Sequence, residues 1–547
     1  MTLWQRMSQM RKPQKLSDSN QPLSPDEVLN QHQNEMFDGD VKGAVEFFQA
    51  LVGINDDFVV RKIRVFGEHD AVVLYFSNLV TREDINENIL YPIMRSSGNG
   101  LGKRLKADDL KAVLVQETIP YGEITLERRL FKLVESLFRG DTLLLVQGVD
   151  EVLQISTRNV AQRGIEQPST EQAIRGGRDG FTELMSTNIT LLRYRLETPN
   201  FRIKMHTIGR LTKTKVAVCF IDGIVSPALV QEVEDRLNAI DIDGVIDAGT
   251  LEQFIEDNHW SPFPQVQNSE RPDKCVVNLM EGRVVILTDG TPFALIVPAV
   301  FTQFYQTLDD YSERPLMGSL IRLVRIVALV FSLVFPSIYV SVISFNPELI
   351  PTKFAVAVAG GRAGVPFPAV VEVLLMEISM EVLREATLRL PQQVGGALSI
   401  VGVLVIGQAA VSAGFASPIT VVVVALSTIG SFATPAYNAA VALRILRFLL
   451  TGLAGIFGLY GVMIGLILIS HHMLSLRSFG VPYLSPIAPA DWEGMKDAWV
   501  RMPIWWMPKR PRMLHPQNAD RLGRETMDDF LSQPSQTLDP VHPRKLR

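Results

Sequence analysis

Cysteine is nearly absent from this chain of 547 residues, which has only Cys219 and Cys275. Two cysteines are too few for the disulfide framework that stabilises small secreted domains, and their separation does not match the spacing of metal ligands. We therefore predict that both are reduced and buried, and we expect neither a metal site nor a cofactor.

Blocks of basic residues are also lacking. The chain has 53 Lys and Arg residues against 58 Asp and Glu residues, a formal net charge of −5, and the two signs are interspersed. Proteins that bind nucleic acid depend on clustered basic side chains that neutralise phosphates. The balance of charge therefore argues against nucleic acid as the main partner.

No apolar signal segment opens the sequence. Residues 1–25 are polar and rich in Gln, Ser and Pro, a composition that does not bury enough apolar surface to fold. We predict a disordered lead-in over residues 1–35, and we expect the soluble part that follows it to stay in the cytoplasm.

Long apolar stretches are confined to the second half of the chain. No charged residue occurs between Arg325 and Glu348 or between Arg389 and Arg444, and only histidines interrupt residues 448–476. A hydrocarbon core requires roughly 20 apolar residues for each spanning helix. These runs predict a membrane domain over residues 313–476, with helices near 320–344, 366–390, 394–413, 417–434 and 440–474.

The first three hundred or so residues show the alternating strand and helix patterns of α/β domains. We predict one domain over residues 36–155, with paired strands at 59–66 and 71–76, and a second domain with its linker over residues 156–312, with a strand at 276–279. No internal sequence repeat is evident. A juxtamembrane segment over residues 477–512 and a disordered tail over residues 513–547 follow the membrane domain. The predicted fold is a multidomain α/β cytoplasmic region followed by an all-α polytopic membrane domain.

One apolar segment carries ionisable residues at helical spacing. At 100° per residue, five side chains fall within about a third of the helix circumference, namely Glu377, Glu381, Arg384, Glu385 and Leu388. Charges at membrane depth are costly and mark a pathway or a buried network. Around a symmetry axis, the carboxylates would attract cations and Leu388 would form an apolar gate. The alternative is an amphipathic helix along the membrane interface, with Glu–Arg pairs at i,i+3 and i,i+4.

A second candidate site follows the last apolar run. Trp505 and Trp506 lie close to Lys509, Arg510 and Arg512. Aromatic rings beside basic residues are typical of an interface anchor near anionic lipid headgroups, and a contact with a protein partner is the alternative. A nucleophile, a base and an orienting residue do not recur at a recognisable spacing, so we expect no enzymatic activity.

Six long motifs are spread over about residues 36–512, namely LFRGDTLLLVQG, AIRGGRDGFTELMSTNITLLR, FIDGIVSPALVQEV, FPSIYVSVISFNPELIPTKF, GVPFPAVVEVLLMEISMEVLREATLRLP and GVPYLSPIAP. Together they resemble the A subunits of the GerA-type spore germinant receptors. The resemblance implies a multi-pass protein of the bacterial spore inner membrane, joined to a nutrient-binding B subunit and a lipoprotein C subunit. It further implies that A subunits form a homo-oligomeric, ligand-gated ion channel, whose opening releases monovalent cations and starts germination.

Two other functions remain open from the sequence. A secondary transporter would have similar broken helices and midplane carboxylates, although it would typically show two repeated halves. A paralogue that does not sense nutrients would amplify ion release or scaffold other spore-membrane proteins. The positive-inside rule leaves the topology open as well, because no arrangement of the predicted helices places every basic segment inside.

Overall fold

The computed structural model describes residues 35–95, 107–158, 173–388 and 405–523, together with a few isolated positions. The chain divides into two compact units, of which the first comprises residues 1–160 and 197–202 and the second comprises residues 161–196 and 203–547. Most of the expected lead-in over residues 1–35 lies outside the described residues, although Leu29 is buried in the core of the first unit.

The first unit contains a five-stranded sheet in the order β1-β2-β4-β5-β3, and its four pairings are antiparallel. The strands expected at 59–66 and 71–76 are confirmed as the paired β1 and β2. Short helical segments at Arg82–Asp84, Ile85–Leu90, Tyr91–Arg95, Ala107–Val113 and Leu114–Thr118 lie between β2 and β3. The other elements are α1 (Val41–Val52), β1 (Phe58–Val65), β2 (His69–Phe76), β3 (Ile124–Glu127), α2 (Leu130–Arg139), β4 (Thr142–Val146) and β5 (Val152–Ile155).

Helices cover both faces of this sheet. Leu143 and Leu145 pack with α1 and α2, whereas Leu144 and Val146 pack with the helical segments between β2 and β3. Because successive side chains of a strand point to opposite faces, a strand that is covered on both sides has a continuous apolar sequence. All five residues of β4 are buried for this reason.

The second unit begins with a sheet of the same connectivity. Its strand order, β6-β7-β9-β10-β8, repeats that of the first sheet strand for strand. In each sheet domain a helix ends at a left-handed glycine directly before the central strand, Gly140 before β4 and Gly282 before β9. The fold is therefore duplicated, although no repeat was evident in the sequence. The elements are α3 (Met185–Arg195), β6 (Phe201–Ile208), β7 (Thr214–Ile221), α4 (Pro227–Asn238), α5 (Ala248–Ile255), β8 (Gln267–Ser269), α6 (Pro272–Glu281), β9 (Val284–Thr288) and β10 (Ala294–Val297).

The predicted strand at residues 276–279 is wrong, because these residues lie in α6. Cys275, Val276 and Leu279 are buried on one side of this helix. A short apolar run fits either a strand or a buried turn of helix, and Gly282 after it is the usual left-handed end of a helix. Both cysteines are buried thiols, as predicted, with Cys219 in β7.

An all-helical region follows the second sheet. The helices α7 and α11 are long and apolar enough to cross a membrane, whereas α10 and α12 are shorter apolar helices. The α/β and helical parts of the predicted fold are thus confirmed, and α8 is a helix that we did not predict. The region contains α7 (Pro315–Phe345), α8 (Thr352–Arg362), α9 (Ala369–Leu388), a helical stretch at 405–412, α10 (Pro418–Phe432), α11 (Tyr437–Phe457) and α12 (Leu459–Ser475).

The single helix expected near 440–474 is two helices. Gly458 separates α11 from α12 with φ +61° and ψ −141°, a conformation that essentially only glycine adopts. The two helices pack closely, because a Cβ atom on Gly461 would lie 2.1 Å from the carbonyl oxygen of Leu453, and one on Gly465 would lie 2.4 Å from the Leu450 side chain. The chain therefore reverses at Gly458, and α12 ends beside the start of α11.

The segment after α12 packs against the second sheet domain, beginning with a short hairpin of β11 (Arg477–Ser478) and β12 (Val481–Pro482). Ser478 Oγ donates to the carbonyl oxygen of Gln265 and accepts from the backbone N–H of Ala299. The tail that we expected to be disordered from residue 513 continues this contact, because the Gln517 N–H donates to the carbonyl oxygen of Ile224 at 3.0 Å. Residues 524–547 lie outside the described residues.

Candidate functional site in the helical region

The predicted ionisable stripe lies on α9. The carbonyl oxygen of Pro368 accepts hydrogen bonds from the N–H groups of Val371 and Glu372, which starts the helix directly after the proline. Val373 and Met376 are buried against side chains of α7, α10 and α11. This packing fixes which side of α9 faces the bundle.

Glu377 is buried inside the bundle. Its side chain is 0% exposed, and its Oε1 lies 3.0 Å from Nε of Arg447 on α11, whose side chain is 3% exposed. The two groups form an ion pair by distance but are not aligned as a hydrogen bond, and no described donor is hydrogen-bonded to either Glu377 oxygen. Arg447 Nη1 also donates to Ser427 Oγ on α10 at 3.3 Å. Because removing one partner of a buried ion pair is costly, the pair ties α9 to α11.

Glu381, one turn later, has two arginine partners. Its carboxylate accepts from Arg384 Nη1 at 3.0 Å within α9 and from Arg444 Nε at 3.2 Å on α11. Arg384 Nη2 in turn donates to Ser431 Oγ on α10 at 3.3 Å, and its guanidinium lies 4.9 Å from the centre of the Phe432 ring. The Glu381 side chain remains 40% exposed. It is therefore held in place and still accessible.

The rest of α9 does not form the single wet face that the helical projection predicts. Glu385 is exposed, and Leu388 is the last residue of the helix, with its side chain outside the described residues. Apolar residues occupy much of the exposed face, because Leu375, Ile378 and Val382 are 43, 51 and 63% exposed. The helical projection fails here because arginines of α11 hold the buried and half-buried carboxylates toward that helix.

Sequence reasoning missed a further buried carboxylate on α9. Glu372 is 0% exposed and accepts from Arg362 Nε, the Ser417 N–H and Thr420 Oγ1 at 3.0, 3.0 and 2.9 Å. The Tyr339 hydroxyl on α7 lies 3.0 Å from Thr420 Oγ1. The group joins the end of α8 to the starts of α9 and α10. Glu372 falls off the projected stripe, and its position in an apolar run was the one signal that could have found it.

A further charged cluster lies where α7 begins. Arg322 is fully buried and donates to Asp310 Oδ2 at 3.2 Å and to Asp497 Oδ1 at 3.0 Å. Arg325 donates to the same Asp310 oxygen at 3.0 Å. Burial raises the pKa of Asp497 above its usual range, against the opposite effect of the Arg322 charge. The cluster joins the segment before α7 to the segment after α12.

The buried and half-buried charged groups described above are thus paired with one another. Within the described ranges, no set of three or more His, Cys, Asp or Glu side chains is placed to hold a metal ion. The arrangement can fix helices and set a local electric field, which are the properties that a membrane site for ions requires.

The sequence profile described as Bacillus/Clostridium GerA spore germination protein matches residues 46–513. The match includes every residue of the charged groups described above. The chain belongs to this GerA family.

Relatives share most of the length of this GerA-family chain. Spore germination protein KA of Bacillus subtilis (strain 168) is 42% identical over 87% of this chain and 86% of its own length. The uncharacterized membrane protein YfkQ of that strain is 39% identical over 88% of this chain and 93% of its own length. Spore germination protein A1 of the same strain is 37% identical over 83% of this chain and 92% of its own length.

One solved structure covers the N-terminal half of this GerA-family chain. It is the crystal structure of the N-terminal domain of the A subunit of the Bacillus megaterium spore germinant receptor GerK3. It is 31% identical, and the match covers 49% of this chain and 98% of its own with a TM-score of 0.38.

The predicted interface anchor of this GerA-family chain is divided between exposed and protein-bound residues. Trp506 is 52% exposed, Trp505 is half-buried, and Lys509 and Arg512 are exposed. Arg510 Nε donates to the carbonyl oxygen at position 280, at the end of α6, at 2.7 Å. Arg510 therefore holds the segment against the second sheet domain, which leaves Trp506, Lys509 and Arg512 as the candidates for lipid contact.

Proposed function

We propose that this chain is the A subunit of a nutrient-responsive spore germinant receptor, and that copies of it assemble into a ligand-gated cation channel. A B subunit would bind the nutrient, and a lipoprotein C subunit would complete the receptor. Opening would release monovalent cations and start germination. Membership of the GerA family, two of whose members compared above are named spore germination proteins, supports this class of function. We propose no enzymatic role, since the sequence does not show a nucleophile, a base and an orienting residue at a recognisable spacing.

The observation that carries the channel proposal is the placement of carboxylates on α9. Glu381, which is 40% exposed, and the exposed Glu385 lie on a helix packed among apolar helices. In a ring of subunits such carboxylates raise the local concentration of cations, and an apolar constriction at Leu388 gates by dewetting. We assign Glu381, Arg384, Glu385 and Leu388 to the ion path. Glu377, paired with Arg447, fixes the rotation of the helix.

We further propose that the helical region crosses the spore inner membrane several times. The contacts between the helices fall at two opposite ends of the bundle. The starts of α9 and α10 meet at Glu372 and Ser417, whereas the end of α9 meets the start of α11 at Glu381 and Arg444. The end of α7 lies against Gly458, between α11 and α12. The five helices α7, α9, α10, α11 and α12 each cross once, and the helix predicted near 394–413, of which residues 405–412 are described, is proposed as the sixth crossing.

The distribution of charge supports this orientation. Arginines gather at the end of the bundle where α7 and α11 begin. The other end carries Lys353 and Arg362, and Arg362 is neutralised by Glu372. If the arginine-rich end is cytoplasmic, the positive-inside rule is satisfied. α12 then returns residues 477–523 to the side of the sheet domains. The relative YfkQ is named a membrane protein, which agrees with a membrane location. The basic residues at the cytoplasmic end are Arg322, Arg325, Arg384, Arg444 and Arg447.

Single-channel recording from receptor reconstituted with its B and C subunits tests the channel. Glu381→Gln and Glu385→Gln should each lower cation conductance, because they remove charge while nearly preserving volume. Leu388→Ala should give current without nutrient, because a smaller side chain eases hydration of the constriction. The matched control is Glu348→Gln, which changes an exposed carboxylate outside α9 and should leave conductance unchanged.

Two outcomes would overturn the assignment. Normal expression and assembly with unchanged conductance and ion selectivity in both α9 glutamine variants would remove these carboxylates from the ion path. Coupled movement of a solute without unitary currents would identify a secondary transporter.

A further inference from the structure

A rigid turn of the second sheet domain is attached to the end of α12. The Ser261 N–H donates to the carbonyl oxygen of Asn258 at 3.2 Å, and the Asn258 side chain accepts from the Trp260 N–H at 3.1 Å. Ser261 Oγ lies 2.9 Å from Nε2 of His472, in the last turn of α12. The Phe263 ring stacks on the same imidazole, with 6.2 Å between ring centres. The turn at residues 258–261 is therefore fixed to the last turn of an apolar helix.

Both ends of this turn are also held by the segment that follows α12. Before the turn, Asp257 Oδ2 accepts from the Phe479 N–H at 2.7 Å, and Arg236 packs over the Phe479 ring at 4.1 Å. After the turn, the carbonyl oxygen of Gln265 accepts from Ser478 Oγ at 2.7 Å. Contacts at the turn, before it and after it thus fix the position of the turn relative to α12.

The turn presents a nearly bare tryptophan. Trp260 is 96% exposed, the highest exposure among the large apolar side chains of the described residues. Leaving so large an apolar ring in water is unfavourable. Its exposure indicates a contact outside this chain.

The outward face of α12 indicates what that contact is. The face is apolar from Tyr460 to Leu468, and His471 shares it with Leu474 in the last turn, because side chains three or four residues apart lie on one side of a helix. In the proposed membrane placement this face meets lipid, and His472 lies where α12 leaves the hydrocarbon. Trp260 adjoins the residue bonded to His472, so its ring lies at headgroup level. The exposed residues of the face are Tyr460, Met463, Ile467, Leu468 and Leu474, at 80, 61, 63, 56 and 57%.

We propose that Trp260 is a membrane-interface anchor that seats the second sheet domain on the cytoplasmic lipid surface beside α12. Tryptophan is enriched at this level of the bilayer because its ring is apolar and its indole N–H finds a polar partner among headgroups. The proposal rests on the membrane placement of α12 and is independent of channel activity. It adds a lipid contact to the protein contacts that hold the sheet domain at the end of the helix.

Spin labels on the full-length chain, reconstituted in lipid nanodiscs, test the proposal. A label at Trp260→Cys should collide more with oxygen than with a water-soluble nickel chelate. A label at Ile246→Cys should show the reverse preference. Ile246 is 80% exposed and lies beside Gly290, which precedes β10, whereas Ala299, which contacts the segment after α12, follows β10 at the opposite end. Both native cysteines are buried, so labelling is confined to the introduced position.

A third label separates the anchor from the membrane placement itself. A label at Ile467→Cys, on the outward face of α12, should favour oxygen. Oxygen preference at 467 with nickel access at 260 overturns the anchor alone, and nickel access at both positions overturns the membrane placement as well. A label at 260 that is shielded from both reagents indicates a protein partner and also overturns the anchor.

Tryptophan fluorescence provides a second readout without a label. Brominated lipids should quench part of the fluorescence of the native chain, and Trp260→Phe, which keeps an aromatic side chain, should lose part of the quenched component. The matched control is Trp492→Phe, which replaces another tryptophan that is 80% exposed. A quenched component that is unchanged in Trp260→Phe overturns the proposal.

Discussion

The three buried or half-buried carboxylates of α9, Glu372, Glu377 and Glu381, each have an arginine partner on another helix. The three contacts differ in quality. Glu372 accepts hydrogen bonds from three groups, whereas Glu377 has an ion pair by distance alone. A buried charge with so few partners depends strongly on its counter-ion. The Glu377–Arg447 pair is therefore the most sensitive of the three contacts.

Glu377→Gln should destabilise the helical region by about 3–5 kcal/mol, because Arg447 is then buried without a counter-charge. Thermal unfolding of the detergent-solubilised protein measures the effect. Glu377→Gln combined with Arg447→Gln should recover part of the loss, since no charge remains to be paired. Glu385→Gln, at an exposed position of the same helix, should change stability by less than about 0.5 kcal/mol. Wild-type stability in Glu377→Gln would show that the ion pair contributes nothing.

Glu252 on α5 gives the second sheet domain a pH-dependent stability. Burial, together with the neighbouring Glu256 charge, raises the pKa of Glu252 to about 8. The unfolded chain has an ordinary carboxyl pKa of about 4.3, so the folded state binds this proton more tightly. The resulting stabilisation is complete below the unfolded pKa and is lost as the pH rises through about 8.

Glu252→Gln should remove this dependence. Between pH values of roughly 5 and 9, the unfolding temperature of the wild type should fall further than that of the variant. The difference between the two proteins isolates Glu252 from the other groups that titrate in this range. Equal falls in both proteins would contradict the raised pKa.

Gly458 decides whether the last apolar run forms one helix or two. A continuous helix over residues 440–474 would be about 50 Å long, which exceeds a hydrocarbon core of about 30 Å. The reversal at Gly458 divides it into two antiparallel helices of suitable length. Gly461 and Gly465 then allow the two helices to approach closely.

Gly458→Ala should destabilise the hairpin of α11 and α12 by about 1–3 kcal/mol, because its backbone conformation is strained for any residue with a Cβ atom. That atom would also lie 2.9 Å from Cγ of Phe345. Gly452→Ala, in the middle of α11 with nothing within 4 Å of the added atom, should be neutral or stabilise by about 0.5–1 kcal/mol. Thermal unfolding of both variants measures the contrast, and equal effects would mean that the turn tolerates a side chain.

The elements that could be predicted from the sequence are those with a local signal. The strands β1 and β2 have clear patterns around a turn, and apolar length located the helical region. The elements that could not be predicted depend on distant partners. Glu377 faces inward because of Arg447, and residues 276–279 form a helix because one side of α6 is buried in the second sheet domain. The reversal within 440–474 depends on one glycine, which composition alone does not distinguish from any other in an apolar helix.

The second sheet domain contacts both ends of the helical region. The segment before α7 joins the segment after α12 through Arg322, Asp310 and Asp497. The Phe301 N–H donates to the carbonyl oxygen of Tyr483 at 2.8 Å, which adds a second link between the same two segments. A displacement of this domain would therefore move the start of α7 and the end of α12 together, which is a physical route from the soluble domain to the helices.

If the helical region spans the membrane as proposed, these contacts require both of its ends to lie on one side, so the number of crossings between them must be even. A membrane-impermeant maleimide should label Trp492→Cys and Ile246→Cys, both 80% exposed, from the cytoplasmic face alone. Lys353→Cys, exposed on α8, should be labelled from the opposite face alone, because α8 follows the first crossing. Sealed vesicles of each orientation, with detergent-opened vesicles as the control for reactivity, measure this difference. An odd number of crossings would be required if Trp492→Cys were labelled from the same face as Lys353→Cys and from the face opposite to Ile246→Cys. That result is incompatible with the hydrogen bonds between residues 477–523 and the second sheet domain.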